Sequence, residues 1–186
     1  MDHADRRRRL AARLSELQAD AFLVTAPANV RYLTGFTGSN GQLVVTREDT
    51  VFFTDGRYDE QSGHEVPDLS REIYTGEFAP AFRAVCRRLR ARRVAFEAAA
   101  VTVETHEKLG EEIELISTSD QIEGLRIAKD PEELAKLQDT QALADEAFET
   151  LLPKLAEGMT ERDVAFELDS AMRRVGADGT AFDTIV

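Results

Sequence analysis

Apolar residues along this chain follow two rhythms. Ala21-Phe22-Leu23-Val24, Leu43-Val44-Val45, Val51-Phe52-Phe53, Val94-Ala95-Phe96 and Ile113 to Ile116 are short continuous runs rich in β-branched and aromatic residues, which predicts strands. The runs do not alternate with polar residues, so the sheet is expected to be covered on both faces. The second and third runs are separated only by Thr46-Arg47-Glu48-Asp49-Thr50, too short a connection for a crossover, and are expected to pair antiparallel. The other rhythm is helical. Leu10, Leu14 and Leu17 predict a helix over 5–19, and Phe82, Val85, Cys86 and Leu89 one over 78–90. Pro27 and Gly35 bracket a short helix through Tyr32, with glycine suited to a left-handed cap. Asp55 can cap a helix over about 56–64, Arg71 to Tyr74 is a further strand, and Thr102 caps a helix ending near Gly110. This alternation through residue 125 predicts an α/β layered domain with a mostly parallel mixed sheet.

Gly124 to Asp130 marks a joint. Asp130-Pro131-Glu132-Glu133 combines a cap, a first-turn proline and a reciprocal glutamate. The helix it opens carries Leu134, Leu137, Ala144, Phe148, Leu151 and Leu155 at helical spacing, with Pro153 placed to kink or end it. Thr160 and Asp163 start another helix, with Val164, Leu168, Ala171, Met172 and Val175 as its buried stripe and Gly176 at its end. Ala181 to Val186 is an apolar, β-type run. The expected division is therefore a domain over 1–125 and a second, incomplete unit over 126–186.

Composition narrows the functional classes. With 42% hydrophobic residues the chain can build a core. Its 35 acidic against 23 basic residues give a net charge of -12, which repels phosphate backbones and argues against nucleic acid as a partner. Arg6 to Arg9 and the cluster Arg83, Arg87, Arg88, Arg90, Arg92 and Arg93 are read as solvated helix faces. Nothing approaches the roughly 18 apolar residues of a membrane span. With one cysteine, Cys86, and no signal-type opening, a reducing cytoplasm is the expected location.

No complete catalytic constellation is visible in the residues themselves. The loop Gly35 to Gly41 fits neither G-x-G-x-x-G nor a Walker pattern and leads into a strand, so it reads as a turn needing positive φ rather than a phosphate cradle. His106-Glu107 is not completed to H-E-x-x-H, because Gly110 stands where the second histidine belongs, and His3, His64 and His106 read as surface residues. Cys86 lies on an apolar helix face and reads as core. Asp55 and Arg57 read as a cap beside a salt-bridging partner.

Asn29-Val30-Arg31-Tyr32-Leu33-Thr34-Gly35-Phe36-Thr37-Gly38-Ser39 followed by Thr54-Asp55-Gly56-Arg57-Tyr58 resembles the N-terminal domain of the Xaa-Pro peptidases and creatinase. Leu125 to Asp130 with Glu133, Glu157-Gly158-Met159-Thr160-Glu161, and Gly176-Ala177 with Ala181 to Val186 resemble the opening of that family's α+β "pita-bread" catalytic domain. The resemblance spans nearly the whole chain, with its motifs in order. It implies a proline-specific metallopeptidase, an aminopeptidase or dipeptidase, that cleaves peptides with proline at the second position. Two divalent metal ions, manganese in most members, would activate the attacking water. The family's ligand motifs lie beyond the Phe182 to Val186 segment. No metal ligand and no catalytic residue is therefore assigned here, and the 186-residue chain alone is expected to be inactive. The resemblance also implies a homodimer in which this portion serves assembly and substrate enclosure, with Phe36, Arg57 and Phe182 as candidate substrate-binding residues. The alternatives are a non-catalytic protein-binding module on the same fold and a creatine amidinohydrolase-like enzyme.

Overall fold

The computed structural model describes residues 2–186. The apolar runs form β1 (Ala21–Val24), β2 (Gln42–Val45), β3 (Thr50–Asp55), β4 (Ser70–Tyr74), β5 (Arg93–Glu97) and β6 (Glu114–Thr118). They make one six-stranded sheet in the order β4-β3-β2-β1-β5-β6. β2 runs antiparallel to β1 and β3, whereas β1-β5, β5-β6 and β3-β4 are parallel pairs. The tight β2-β3 turn is closed by Thr46 N–H to Asp49 O at 2.8 Å and Asp49 N–H to Thr46 Oγ1 at 2.9 Å.

Helices cover both faces. On one side Phe22, Val24, Leu43, Val45 and Phe52 meet α1 (His3–Arg13), α2 (Pro27–Thr34) and α6 (Glu123–Ile127) through Leu10, Ala11, Val30, Leu33 and Leu125. On the other, Leu23, Val44, Val51, Phe53 and Val94 meet α4 (Phe78–Leu89) and α5 (Val103–Leu109) through Phe82, Val85, Cys86 and Leu109. Successive strand residues therefore fill opposite cores. That is why the runs are continuous rather than alternating, and each large side chain buried this way contributes about 1.5–3 kcal/mol.

Two expectations for the first helix are corrected. α1 stops at Arg13 instead of reaching residue 19, because the chain turns back with Gln18 at φ 51° and Ala19 N–H bonded to Leu14 O at 3.0 Å. Arg6 and Arg7 are also not solvated: they are only 4% and 7% exposed. Their guanidiniums serve the C-terminus of α2, Arg6 donating to Tyr32 O at 3.0 Å and Arg7 to Leu33 O at 2.9 Å, while Arg7 also pairs with Asp68. Arg6 further stacks over the Tyr32 ring at 4.1 Å. Cations at the last carbonyls of a helix satisfy orphan acceptors and complement its dipole.

The chain divides into two compact units, Asp2–Ala128 and Lys129–Val186. The second contains α7 (Pro131–Leu151) and α8 (Glu161–Arg174), which pack together. Both helices open with complete capping boxes, Asp130 with Glu133 and Thr160 with Asp163. Pro153 sits in a 3₁₀ turn, Leu152–Lys154, that ends α7 and leaves Leu155 outside the helix. The expected buried stripe of α8 forms only in part: Ala171 is buried, while Val164, Leu168, Met172 and Val175 are half-buried. On α7, Leu134, Leu137 and Phe148 are exposed. The apolar run Ala181 to Val186 is not a strand, since no neighbouring strand takes its backbone groups.

Candidate functional site

The segment from Gly35 to Tyr58 builds a polar surface on an aromatic base. Gly35 ends α2 in the left-handed region at φ 83°, with its N–H on Arg31 O at 2.8 Å. It reverses the chain so that Phe36 drops into the core, where it is 2% exposed. The Phe36 ring meets Phe52 edge-on at 4.8 Å and Tyr58 at 5.7 Å, geometries that favour aromatic pairs. Gly38 is demanded by proximity and not by φ, because a Cβ there would come within 2.8 Å of both Phe36 Cε1 and Tyr58 Cδ1.

Polar side chains hold the loop above these rings. Thr37 donates to Glu65 through its N–H at 2.7 Å and its hydroxyl at 2.8 Å, with Gln61 bridging both; Gln61 and Glu65 belong to α3 (Asp59–Glu65). Burial pushes the Glu65 carboxyl upward, but its bonds from Thr37 and Gln61 more than offset this and leave it below the ordinary value. Ser39 shares a 2.7 Å hydrogen bond with the Tyr58 hydroxyl, and that bond holds the phenol below its usual value. Asn40 Nδ2 reaches Asp55 Oδ2 at 2.5 Å and the Tyr74 hydroxyl at 2.9 Å, and Asn40 O accepts from Thr54 Oγ1 at 2.6 Å.

Arg57 puts an exposed cation on this surface. It follows Asp55 in a 3₁₀ turn, Gly56–Tyr58, that precedes α3, so the expected single helix is split in two. The Asp55 carboxylate accepts the Arg57 N–H, and the side-chain bonds from Arg57 Nε and Nη2 hold its pKa well below the carboxylate range, with Asn40 adding to the effect. The Arg57 side chain is 70% exposed and lies 5.4 Å from the Tyr58 ring centroid. Nε and Nη2 are used on Asp55, which leaves Nη1 to donate to an outside carboxylate or carbonyl. Tyr58 thus connects the two site residues of this unit, packing at a right angle against the Phe36 ring and lying beneath the Arg57 guanidinium. Phe182 belongs to the other unit and is 73% exposed.

The supporting residues Ser39, Asn40, Tyr58, Glu65 and Tyr74 were not among the candidates read from sequence. Tyr74 comes opposite Asp55 through the parallel β3-β4 register, which leaves no local sequence signal.

A second polar cluster is structural. Ala26, the N-cap of α2, has no side-chain cap, and Glu97 at the end of β5 fills the role by accepting Thr25 N–H at 2.6 Å and Ala26 N–H at 2.9 Å. Asn29 Nδ2 donates to Glu97 at 2.5 Å and to Glu123 at 2.6 Å, and Asn29 Oδ1 accepts from Arg126 at 2.9 Å. This ties α6 to α2 and β5.

Among the described residues no group of three or more His, Cys, Asp and Glu side chains is placed to hold a metal ion, and none of their helices is long and apolar enough to cross a membrane. His3 Nδ1 lies 3.0 Å from Tyr32 O, and the His106 ring packs 5.3 Å from Phe96.

A helix-covered mixed sheet of this order, followed by a unit of two capped helices, defines a creatinase/prolidase-type N-terminal domain joined to the start of a second domain. Residues 6–128 match the Creatinase/Prolidase N-terminal domain, and residues 135–186 match metallopeptidase family M24. The chain belongs to the Xaa-Pro peptidase family. It is 34% identical over 174 residues to the uncharacterized peptidase YqhT of Bacillus subtilis (strain 168), covering 92% of this chain and 49% of that protein. It resembles the solved Xaa-Pro dipeptidase from Bacillus anthracis with a TM-score of 0.93 at 29% identity, over 98% of this chain and 52% of that one. The solved N-terminal domain of the cytoplasmic peptidase PepQ from Mycobacterium tuberculosis H37Rv is 36% identical, with a TM-score of 0.58, over 65% of this chain and 98% of that one. The chain spans about half the length of the curated relatives it matches. Metallopeptidases of this family use divalent metal ions, and residues 2–186 do not assemble a site that fits them.

Proposed function

We propose that this chain is the N-terminal portion of a proline-specific exopeptidase, an Xaa-Pro aminopeptidase or dipeptidase that works in the cytoplasm as a homodimer. The observation that carries this is the ordered match to two family models, an N-terminal creatinase/prolidase domain over 6–128 and metallopeptidase family M24 over 135–186. The peptide substrate has proline at its second position and is cut before that proline. The whole protein's metal pair, which we assign as manganese, is held by residues outside 2–186, so this portion is inactive alone and none of its residues takes part in the hydrolytic step.

Its part is enclosure and assembly. Arg57 Nη1 donates to a carbonyl or carboxylate of the substrate bound in a neighbouring subunit, and Phe36 holds the loop that carries this face. Phe182 offers an apolar wall to the substrate, consistent with its exposure.

The test is a panel on the full-length protein loaded with manganese: Xaa-Pro dipeptides, Xaa-Pro-Yaa tripeptides, matched peptides with alanine in place of proline, and creatine. Hydrolysis only of the proline peptides is expected, and the dipeptide-to-tripeptide ratio assigns the subclass. Turnover of creatine, or equal turnover of the alanine peptides, would overturn the proposal.

A further inference from the structure

The arginines in and after α4 divide into two sets. Arg83, Arg87, Arg88 and Arg93 each meet a glutamate carboxylate, at distances from 2.6 to 3.5 Å. The side chains of Arg90 and Arg92 have no hydrogen-bond or ion-pair partner among the described residues. Both line a cavity of about 580 Å³ together with Arg87 and Glu112, beside Cys86 and Ile113. Three guanidiniums thus share one cavity with a single carboxylate, a local excess of positive charge on a chain whose net charge is -12.

At the end of α4 backbone donors already take two carbonyls that a terminal cation could serve, since Arg90 N–H reaches Arg87 O and Cys86 O, and Ala91 N–H reaches Cys86 O at 2.9 Å. Arg90 itself occupies the left-handed cap at φ 56°. Glycine takes that conformation freely, and a residue with a Cβ adopts it at a cost. The neighbouring backbone is fixed, because Asp20 Oδ2 accepts both Arg92 N–H and Arg93 N–H at 2.9 Å. Two unpaired guanidiniums are therefore held on a defined backbone at the mouth of a cavity, one of them at a strained position.

We propose that this cavity binds a small anion carrying a diphosphate group. Guanidinium forks match phosphate oxygens in pairs. The cavity falls within the range of about 300–1,000 Å³ usual for small-molecule sites, larger than a single phosphate needs. The site is formed by α4, the α4-β5 turn and the α5-β6 connection at Glu112 and Ile113 and makes no use of the Arg57 surface, so it stands or fails independently of the peptidase reading.

The test is calorimetric titration of the purified protein with pyrophosphate at physiological salt, with ADP as a second arm. The variant is Arg90→Gly with Arg92→Ser, which keeps the left-handed cap and therefore the fold. The exposed Arg9→Ala is the control for general charge. One equivalent of pyrophosphate is expected to bind, at least tenfold more weakly to the double variant and unchanged in Arg9→Ala. Tighter, competing binding of ADP would assign the diphosphate to a larger organic body, and failure of ADP to compete would assign the free anion. Absence of saturable pyrophosphate binding, or equal affinity in the double variant, would overturn the proposal.

Discussion

Asp55 holds Arg57 by three hydrogen bonds: Oδ1 accepts the Arg57 backbone N–H at 2.9 Å and Nε at 3.0 Å, and Oδ2 accepts Nη2 at 2.7 Å. The same carboxylate thus caps the turn and fixes the direction of the guanidinium. Preorganisation of this kind lowers the cost of ordering a long side chain when a ligand arrives.

Asp55→Asn should loosen this arrangement and lower stability in a pH-dependent way. The folded-state pKa of Asp55 is depressed below its ordinary 3.8. Its contribution is therefore fully present above about that pH and lost as the pH falls below it, toward the depressed value. Urea unfolding of wild type and variant should show a gap that is constant from pH 7 to pH 5 and closes in more acidic solution. A gap that widens on acidification would contradict the assignment.

Gly38→Ala should destabilise the first unit by about 1–3 kcal/mol, the usual effect of overpacking, because Phe36 and Tyr58 must move to admit the methyl group. Gly56→Ala is the matched comparison. A Cβ at Gly56 meets nothing within 4 Å, and the change should stay within about 0.5 kcal/mol. Denaturant midpoints of the two variants check the difference.

Removal of the Glu97 carboxylate strips the α2 N-terminus of its anionic acceptor. Glu97→Ala should cost roughly 1.5–3 kcal/mol, as for hydrogen bonds to a charged group. Asn29→Ala made on top of it should cost less than it does alone, since the two residues share one network. A double-mutant cycle in urea measures the coupling, and strict additivity would count against the network.

Burial pushes the Cys86 thiol up to about 12. At pH 8 the reactive thiolate is then nearly absent. Iodoacetamide should leave the native protein unlabelled over hours and label it promptly in denaturant. Rapid labelling of native protein would show that α4 opens readily.

Much of this fold was legible because its signals are local. The strand runs have apolar residues for two cores, so continuity itself announced a covered sheet. Asp130, Thr160 and Thr102 cap the helices they were expected to cap, and Gly35 takes the left-handed C-cap expected of it. What could not be read depends on distant partners. Arg6 and Arg7 are buried because carbonyls 26 residues away need donors, and nothing near the arginines says so. The end of α1 turns on Gln18 in a conformation that glycine usually announces. At the candidate site Arg57 and its partner Asp55 were visible as a local pair. The clamp of Asn40 and Tyr74 was not, because the crossover between β3 and β4 sets it. Ala181 to Val186 has β propensity but no partner strand among the described residues, and a strand needs a neighbour as well as a sequence.

The most direct test of the central claim compares the full-length protein with its Arg57→Ala variant on an Xaa-Pro peptide and on the matched Xaa-Ala peptide, with manganese present. The account predicts cleavage of the proline peptide alone, and a kcat/KM reduced at least tenfold in the variant with an unchanged dimer mass. Cleavage indifferent to proline, or an unaltered kcat/KM in Arg57→Ala, would contradict it.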